Sequence, residues 1–171
     1  MKVLLVIDML NDFVNSKGVL FCGKTAREII PFVKKRIEEF HQKKGLVIFL
    51  CDEHSQGDPE FKLFPPHCLK GTWGSRIIKE LPREKRDSVI KKSHYNGFFK
   101  TDLEKVLGRN KINEVEVVGV CTSICVMDTV GELRNREIPT TVWKNGVADF
   151  DPQAHKFALQ RMEKIYGATV K

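Results

Sequence analysis

Short apolar runs recur along the chain, separated by longer stretches in which apolar residues fall three and four positions apart. Val3–Ile7, Leu46–Leu50, Ser88–Ile90, Val115–Val120 and Thr140–Trp143 are rich in β-branched residues, and Ala168–Val170 adds a sixth such run. Runs that stay apolar at odd and even positions alike predict strands covered on both faces. Thr25–Lys43 places Ile29, Phe32, Val33, Ile37 and Phe40 on one helical face, with Thr25 as its cap and Gly45 ending the approach to the next strand. Thr101–Leu107 repeats the pattern with Leu103, Val106 and Leu107, while Ile124–Asn135 and Pro152–Ile165 predict two more helices, the last opening on its proline. A fainter helical period crosses Trp73–Leu81.

Strand and helix alternating through one chain require crossover connections, so the predicted fold class is α/β. It is a three-layer α/β/α arrangement around a central, mostly parallel sheet of about six strands. A chain of 171 residues fits one domain over residues 1–171, and no linker or internal repeat interrupts it. Cys51–Gly74, punctuated by Gly57, Pro59, Pro65, Pro66, Gly71 and Gly74, reads as one long loop, a length that in a compact domain usually serves function.

Composition narrows the function classes. With 42% hydrophobic and 30% charged residues the chain is not disordered. Lys and Arg number 29 against 22 Asp and Glu, a net charge of +7 that raises the question of a polyanion partner. The basic residues are scattered as Lys34-Lys35-Arg36, Lys43-Lys44, Arg83 to Arg86 and Lys91-Lys92, without finger, zipper or aromatic-interleaved patterns, so no nucleic acid partner is expected. No apolar stretch approaches the roughly 20 residues of a membrane span, so no membrane is expected either. Five cysteines and no signal-peptide pattern before Val3 predict a reduced, cytoplasmic protein.

In open α/β sheets ligands bind beyond the carboxyl ends of the strands. Asp8 ends the first predicted strand, Asp52 follows the second, Lys92 ends the third, and Cys125 follows the fourth in VGVCTSIC. At the start of a helix and near a cation, Cys125 is expected to have a depressed pKa and act as a nucleophile, with a carboxylate such as Asp8 moving its proton. The backbone N–H groups of Cys121 and Cys125 suit an oxyanion hole. Taken singly, each residue also has an ordinary reading: a buried inert thiol, a turn aspartate, a solvated lysine.

Asp52 and His54, two apart, face the same side if the chain stays extended, and His67 with Glu60 completes a nitrogen and oxygen set suited to zinc, manganese or iron. Spacing alone leaves open a polar loop whose histidines bond backbone. Lys91 beside Lys92 leaves the register of the cation open by one, although only one of two neighbours in a strand points at the site.

The segments VIDMLNDF, CDEH, DPEFKLFPPHCLKGTWG, VIKKSHYNGF and GVCTSICVMDT, in this order from Val3 to about Asp149, resemble the isochorismatase-like cysteine hydrolases and, within them, the nicotinamidase/pyrazinamidase group. The resemblance implies a catalytic Asp8, Lys92 and Cys125, and a cis peptide before Cys121. It implies metal ligation by Asp52, His54 and His67, with Glu60 as a fourth ligand in some members, the metal being zinc, iron or manganese. Phe13, Phe64 and Tyr95 match positions lining the substrate pocket, and the family commonly forms homo-oligomers. The implied activity is hydrolysis of nicotinamide to the acid and ammonia through a cysteine thioester. Two alternatives stand beside it: a cysteine hydrolase of the same family with another small substrate, and a non-catalytic binding protein on this fold.

Overall fold

The computed structural model describes all of residues 1–171. Six parallel strands, β1 (Lys2–Ile7), β2 (Leu46–Asp52), β3 (Ser88–Lys92), β4 (Glu114–Val120), β5 (Thr140–Ala148) and β6 (Thr169–Val170), form one sheet in the order β3-β2-β1-β4-β5-β6. The order reverses between β1 and β4, and at such a switch point the connections leave on opposite faces and open a crevice beyond the strand ends.

The apolar runs are continuous because both faces are covered. Leu4 and Val6 of β1, Val47 and Phe49 of β2, and Val118 and Val120 of β4 join one core with α3 (Ile30–Gln42). Val3, Leu5, Ile7, Ile48, Leu50, Val115 and Val117 point the other way, into a core shared with α4 (Leu103–Arg109), α5 (Met127–Asn135) and α6 (Pro152–Lys164). Gly119 lies where β4 meets β1: a Cβ there would stand 1.9 Å from the Ile7 carbonyl oxygen. Two short helices, α1 (Asn11–Val14) and α2 (Lys24–Glu28), precede α3, and no helix is long and apolar enough to cross a membrane.

The structure departs from the sequence reading at several points. The helix expected over Thr25–Lys43 is two, α2 and α3, separated at Ile29 because Pro31 has no N–H to carry the ladder through. Thr25 does not cap it; its hydroxyl donates to the Asp149 carbonyl oxygen at 3.1 Å, and Gly23 holds the cap position. Trp73–Leu81 is not helical, since its backbone bonds outward, Arg76 O accepting from Asn11 N–H and Ile78 N–H donating to Met9 O. β5 runs on past Trp143, where the expected strand ended, through a bulge in which Val142 pairs Val117 but Val147 pairs Gly119.

Candidate active site

Asp8 follows β1 directly, and its backbone turns into the left-handed region with φ 51°, a conformation Asp tolerates better than most residues. Its Oδ1 accepts the Asp52 N–H at 2.8 Å, tying the ends of β1 and β2 together. β3 alternates, so Lys91 points outward to Glu53 at 3.2 Å while Lys92 points inward with its ammonium buried. Lys92 Nζ lies 2.8 Å from Asp8 Oδ2, 3.0 Å from Asp52 Oδ1 and 3.4 Å from Cys125 Sγ. The ammonium donates to Asp52 Oδ1 and Cys125 Sγ and is ion-paired with Asp8.

Burial works to lower the Lys92 pKa, but the charges of Asp8, Cys125 and Asp52 outweigh it and hold the ammonium well above the ordinary lysine value. Burial raises Asp52, yet Lys92, His54 and His67 bring it below the usual carboxylate range. Asp8 stands raised, because burial and the Asp52 charge exceed the pull of Lys92. The thiol of Cys125 is also raised, by burial first and then by Asp8 and Asp52 against Lys92. This overturns the expectation of a depressed thiol. Cys125 does not open an α-helix: it sits, buried, in a wide π turn, Thr122–Val126, directly before α5.

That turn follows a cis peptide at Val120–Cys121, the bond implied by the resemblance. The Cys121 carbonyl accepts from Ile124 and Val126 N–H at 3.1 and 3.2 Å, while no protein acceptor takes the N–H of Cys121 itself. A donor left over beside a buried thiol is what an oxyanion requires.

On the far side of Asp52 the second carboxylate oxygen faces two imidazoles, Oδ2 lying 2.8 Å from His54 Nε2 and 3.4 Å from His67 Nε2. Glu60 Oε1 is 3.7 Å from the same His67 nitrogen. Behind the rings, His67 Nδ1 donates to the Pro65 carbonyl at 2.9 Å, and His54 Nδ1 lies 3.0 Å from Asp58 Oδ2. Burial lowers the His54 pKa, and Asp52 and Asp58 raise it to about 9; a cation on the same atoms competes with that proton. One ligand atom each from Asp52, His54 and His67 falls within 4.8 Å of the others, and this buried N₂O set fits zinc, iron or manganese.

Asp8, Asp52, Glu60, His67 and Cys125 all reach one cavity of about 350 Å³, together with Phe13, Phe64 and Tyr95. His54 does not line it but lies behind His67, the ring centroids 4.8 Å apart. Sequence reading missed the opposite wall, Val19–Cys22, with Ile124 and Phe150. The signal was an apolar VLFC run between Gly18 and Gly23, too short to be an element. It also missed Asp12, whose buried carboxylate accepts the Cys68 N–H at 2.7 Å and the Val19 N–H at 3.3 Å, joining the histidine loop to that wall.

A thiol, two carboxylates and a lysine converge at the switch point of a doubly wound α/β/α sheet, a setting suited to hydrolase chemistry. The isochorismatase domain model matches residues 2–171, and the chain belongs to the isochorismatase family. It is 37% identical to the uncharacterized isochorismatase family protein PncA of Bacillus subtilis, over 99% of this chain and 98% of that one. A probable inactive nicotinamidase of Arabidopsis thaliana is 30% identical over 95% of this chain and 88% of its own. Among solved structures, a pyrazinamidase/nicotinamidase from Streptococcus mutans superposes with a TM-score of 0.94 at 33% identity, covering 100% of both chains. An N-carbamoylsarcosine amidase from Thermoplasma acidophilum gives 0.90 at 32%, covering 99% and 95%. The pyrazinamidase of Pyrococcus horikoshii in complex with zinc gives 0.93 at 27%, covering 99% and 98%.

Proposed function

We propose that this protein is a nicotinamidase, hydrolysing nicotinamide and pyrazinamide-like amides to the acid and ammonia. The observation that carries the reading is the pairing of two features at one apolar cavity: the Asp52, His54 and His67 set, which reaches it through Asp52 and His67, and the Cys125 thiol. A flat ring with a nitrogen at one edge and a carboxamide at the other spans them. Phe13, Phe64 and Tyr95 give such a ring apolar walls.

Asp8 takes the Cys125 proton as the sulfur attacks the carboxamide carbon, and its raised pKa suits it to hold that proton. The N–H groups of Cys121 and Cys125 receive the developing oxyanion. Asp8 then protonates the departing nitrogen, the carbon–nitrogen bond breaks, and ammonia leaves a thioester on Cys125. Water adds to the thioester, Asp8 again accepts a proton, and returning it to the sulfur releases the acid. Lys92 keeps Asp8 and Asp52 in place and offsets their charge throughout. A zinc, iron or manganese ion held by Asp52, His54 and His67, with Glu60 within reach, would supply a Lewis acid for the ring nitrogen. Zinc is favoured by the similarity to a pyrazinamidase in complex with zinc. The five cysteines are all unpaired and buried, which fits work in a reducing cytoplasm, with the product returned to pyridine nucleotide salvage.

The test is ammonia release from nicotinamide by the protein as isolated, after chelation, and after zinc, iron or manganese is restored. Activity lost and regained is the expected result. Release from a carbamoyl amide but not from nicotinamide, unaffected by chelation, would favour the second reading, to which the similarity to an N-carbamoylsarcosine amidase points.

A further inference from the structure

Asp149 follows the last residue of β5, is 5% exposed, and has no place in the chemistry above. Its Oδ2 accepts the Ser123 N–H at 2.7 Å and its Oδ1 the Asp151 N–H at 3.2 Å. Its carbonyl takes the Thr25 hydroxyl, so the residue is itself held from α2. One position before Ser123, the fully buried Thr122 hydroxyl meets His155 Nδ1 of α6 at 2.9 Å. The segment from Cys121 to Cys125 is thus closed on one side by its own turn and tied on the other, through two consecutive residues, to β5 and α6.

A carboxylate in this place is most simply explained as a cap for α6, but α6 has its own. Asp151 accepts from both Gln153 and Ala154 N–H. What depends on Asp149 is Ser123, whose N–H lies in sequence between the two donors assigned to the oxyanion. A negative charge this close to a developing oxyanion opposes it unless that charge is already engaged, and here two backbone N–H groups engage it.

We propose that Asp149 is a positioning residue for oxyanion stabilisation: by drawing the Ser123 N–H toward β5 it fixes the turn that presents the N–H groups of Cys121 and Cys125. The inference rests on the reading of Cys125 as an acyl-accepting nucleophile, though not on which amide is the substrate. Deleting one oxyanion donor outright costs about 100- to 1000-fold. Loosening the turn that carries two costs part of that, about 10- to 100-fold.

The experiment compares two reactions of Cys125 in the full-length protein. Acylation by p-nitrophenyl acetate forms the carbon–sulfur bond through a tetrahedral oxyanion and expels p-nitrophenolate, read as a burst. Alkylation by iodoacetamide displaces iodide and develops no oxyanion. Asp149→Ala is expected to slow the burst about 10- to 100-fold while alkylation stays within twofold, and Asp149→Asn, whose amide carbonyl still accepts from Ser123, to recover most of the burst rate. Should Asp149→Ala not fold, the near-isosteric Thr122→Val removes the second tie and should give the same split at about 3- to 10-fold. A burst unchanged in these variants, or two rates falling together, overturns the proposal. A wild type without a burst overturns it along with the nucleophile. A wild type with a burst that releases no ammonia from nicotinamide breaks only the substrate assignment and leaves the Asp149 split standing.

Discussion

Two clusters of charge, one buried and one partly buried, lie at opposite ends of the same sheet. Toward the amino ends of the strands, Arg36 of α3 bonds Glu116 of β4 and Glu39, with its guanidinium 4.7 Å from the Trp143 ring and 5.6 Å from that of Phe40. Trp143 Nε1 adds a bond to Glu116 at 2.7 Å. At the carboxyl ends, Lys92 joins Asp8 and Asp52. Both are a cation between two acids, so an ion cluster is not in itself a site. The difference lies in the cation and in what else is present. A guanidinium is planar, permanently charged and here sandwiched between rings; an ammonium is a compact charge whose protons can be divided among three partners. The third partner of Lys92 is a thiol that faces an apolar cavity, whereas Arg36 has no thiol beside it and the hollow it lines with Glu39, Lys43, Lys44 and Glu116 is charged.

The largest test of that contrast is Cys125→Ala. Ammonia release should fall on the order of 10,000-fold or more, with the urea midpoint essentially unchanged. Residual turnover within tenfold of wild type would remove Cys125 from the chemistry. Next comes Lys92→Met, which leaves Asp8 and Asp52 buried without their counter-ion. Turnover should drop about 100- to 1000-fold, and unfolding should show a loss of about 3–5 kcal/mol. The neighbouring Lys91→Met, at a side chain 43% exposed, should leave both readings close to wild type. Similar losses in the two would mean that strand alternation does not decide which lysine serves the site.

That alternation is also why so much of the centre was legible in the sequence. Asp8, Asp52 and Lys92 close apolar runs, and a run's end is fixed by burial, which a sequence records directly. The π turn around Cys125 and the pKa of its thiol were not legible, because no periodicity marks the turn and the thiol answers to burial and to two carboxylates at the ends of other strands. Helix boundaries failed where one proline outweighed an unbroken apolar stripe, at Pro31. Asp12, Asp58 and Asp149 escaped notice for a related reason: their partners are backbone N–H groups or a ring nitrogen brought by distant or irregular chain, and no periodicity marks them.

Asp58 gives the third test, because it lies against His54 without belonging to the inner set of Asp52, His54 and His67. Asp58→Ala should weaken metal retention about 10- to 100-fold in a chelator competition, as losses of such outer carboxylates do. Retention equal to wild type would mean that packing alone orients the ring. The fourth concerns protons. Because the Cys125 pKa is raised, the resting sulfur is a thiol at neutral pH and its thiolate fraction grows with pH. Alkylation by iodoacetamide should therefore accelerate about tenfold per pH unit above neutrality. Cys51, buried and pushed up to about 12, should stay unlabelled. A rate already flat at pH 7 would mean a preformed thiolate paired with Lys92.

The smallest expected effect on turnover belongs to Arg36→Met, and it is the sharpest comparison with Lys92→Met. Each change removes one cation from between two acids and substitutes an unbranched apolar chain. Glu116 would be left half-stranded, still bonded by Trp143, in a place more open than the Lys92 site. The loss of stability should thus sit near the low end for a broken buried pair, about 3 kcal/mol or less, while ammonia release stays within twofold. If turnover falls with stability in both variants, the two clusters are coupled through β4 and the site cannot be treated as local to the strand ends. If it falls only for Lys92→Met, the same electrostatic motif performs a structural task at one end of the sheet and a chemical one at the other, separated by the thiol and the cavity.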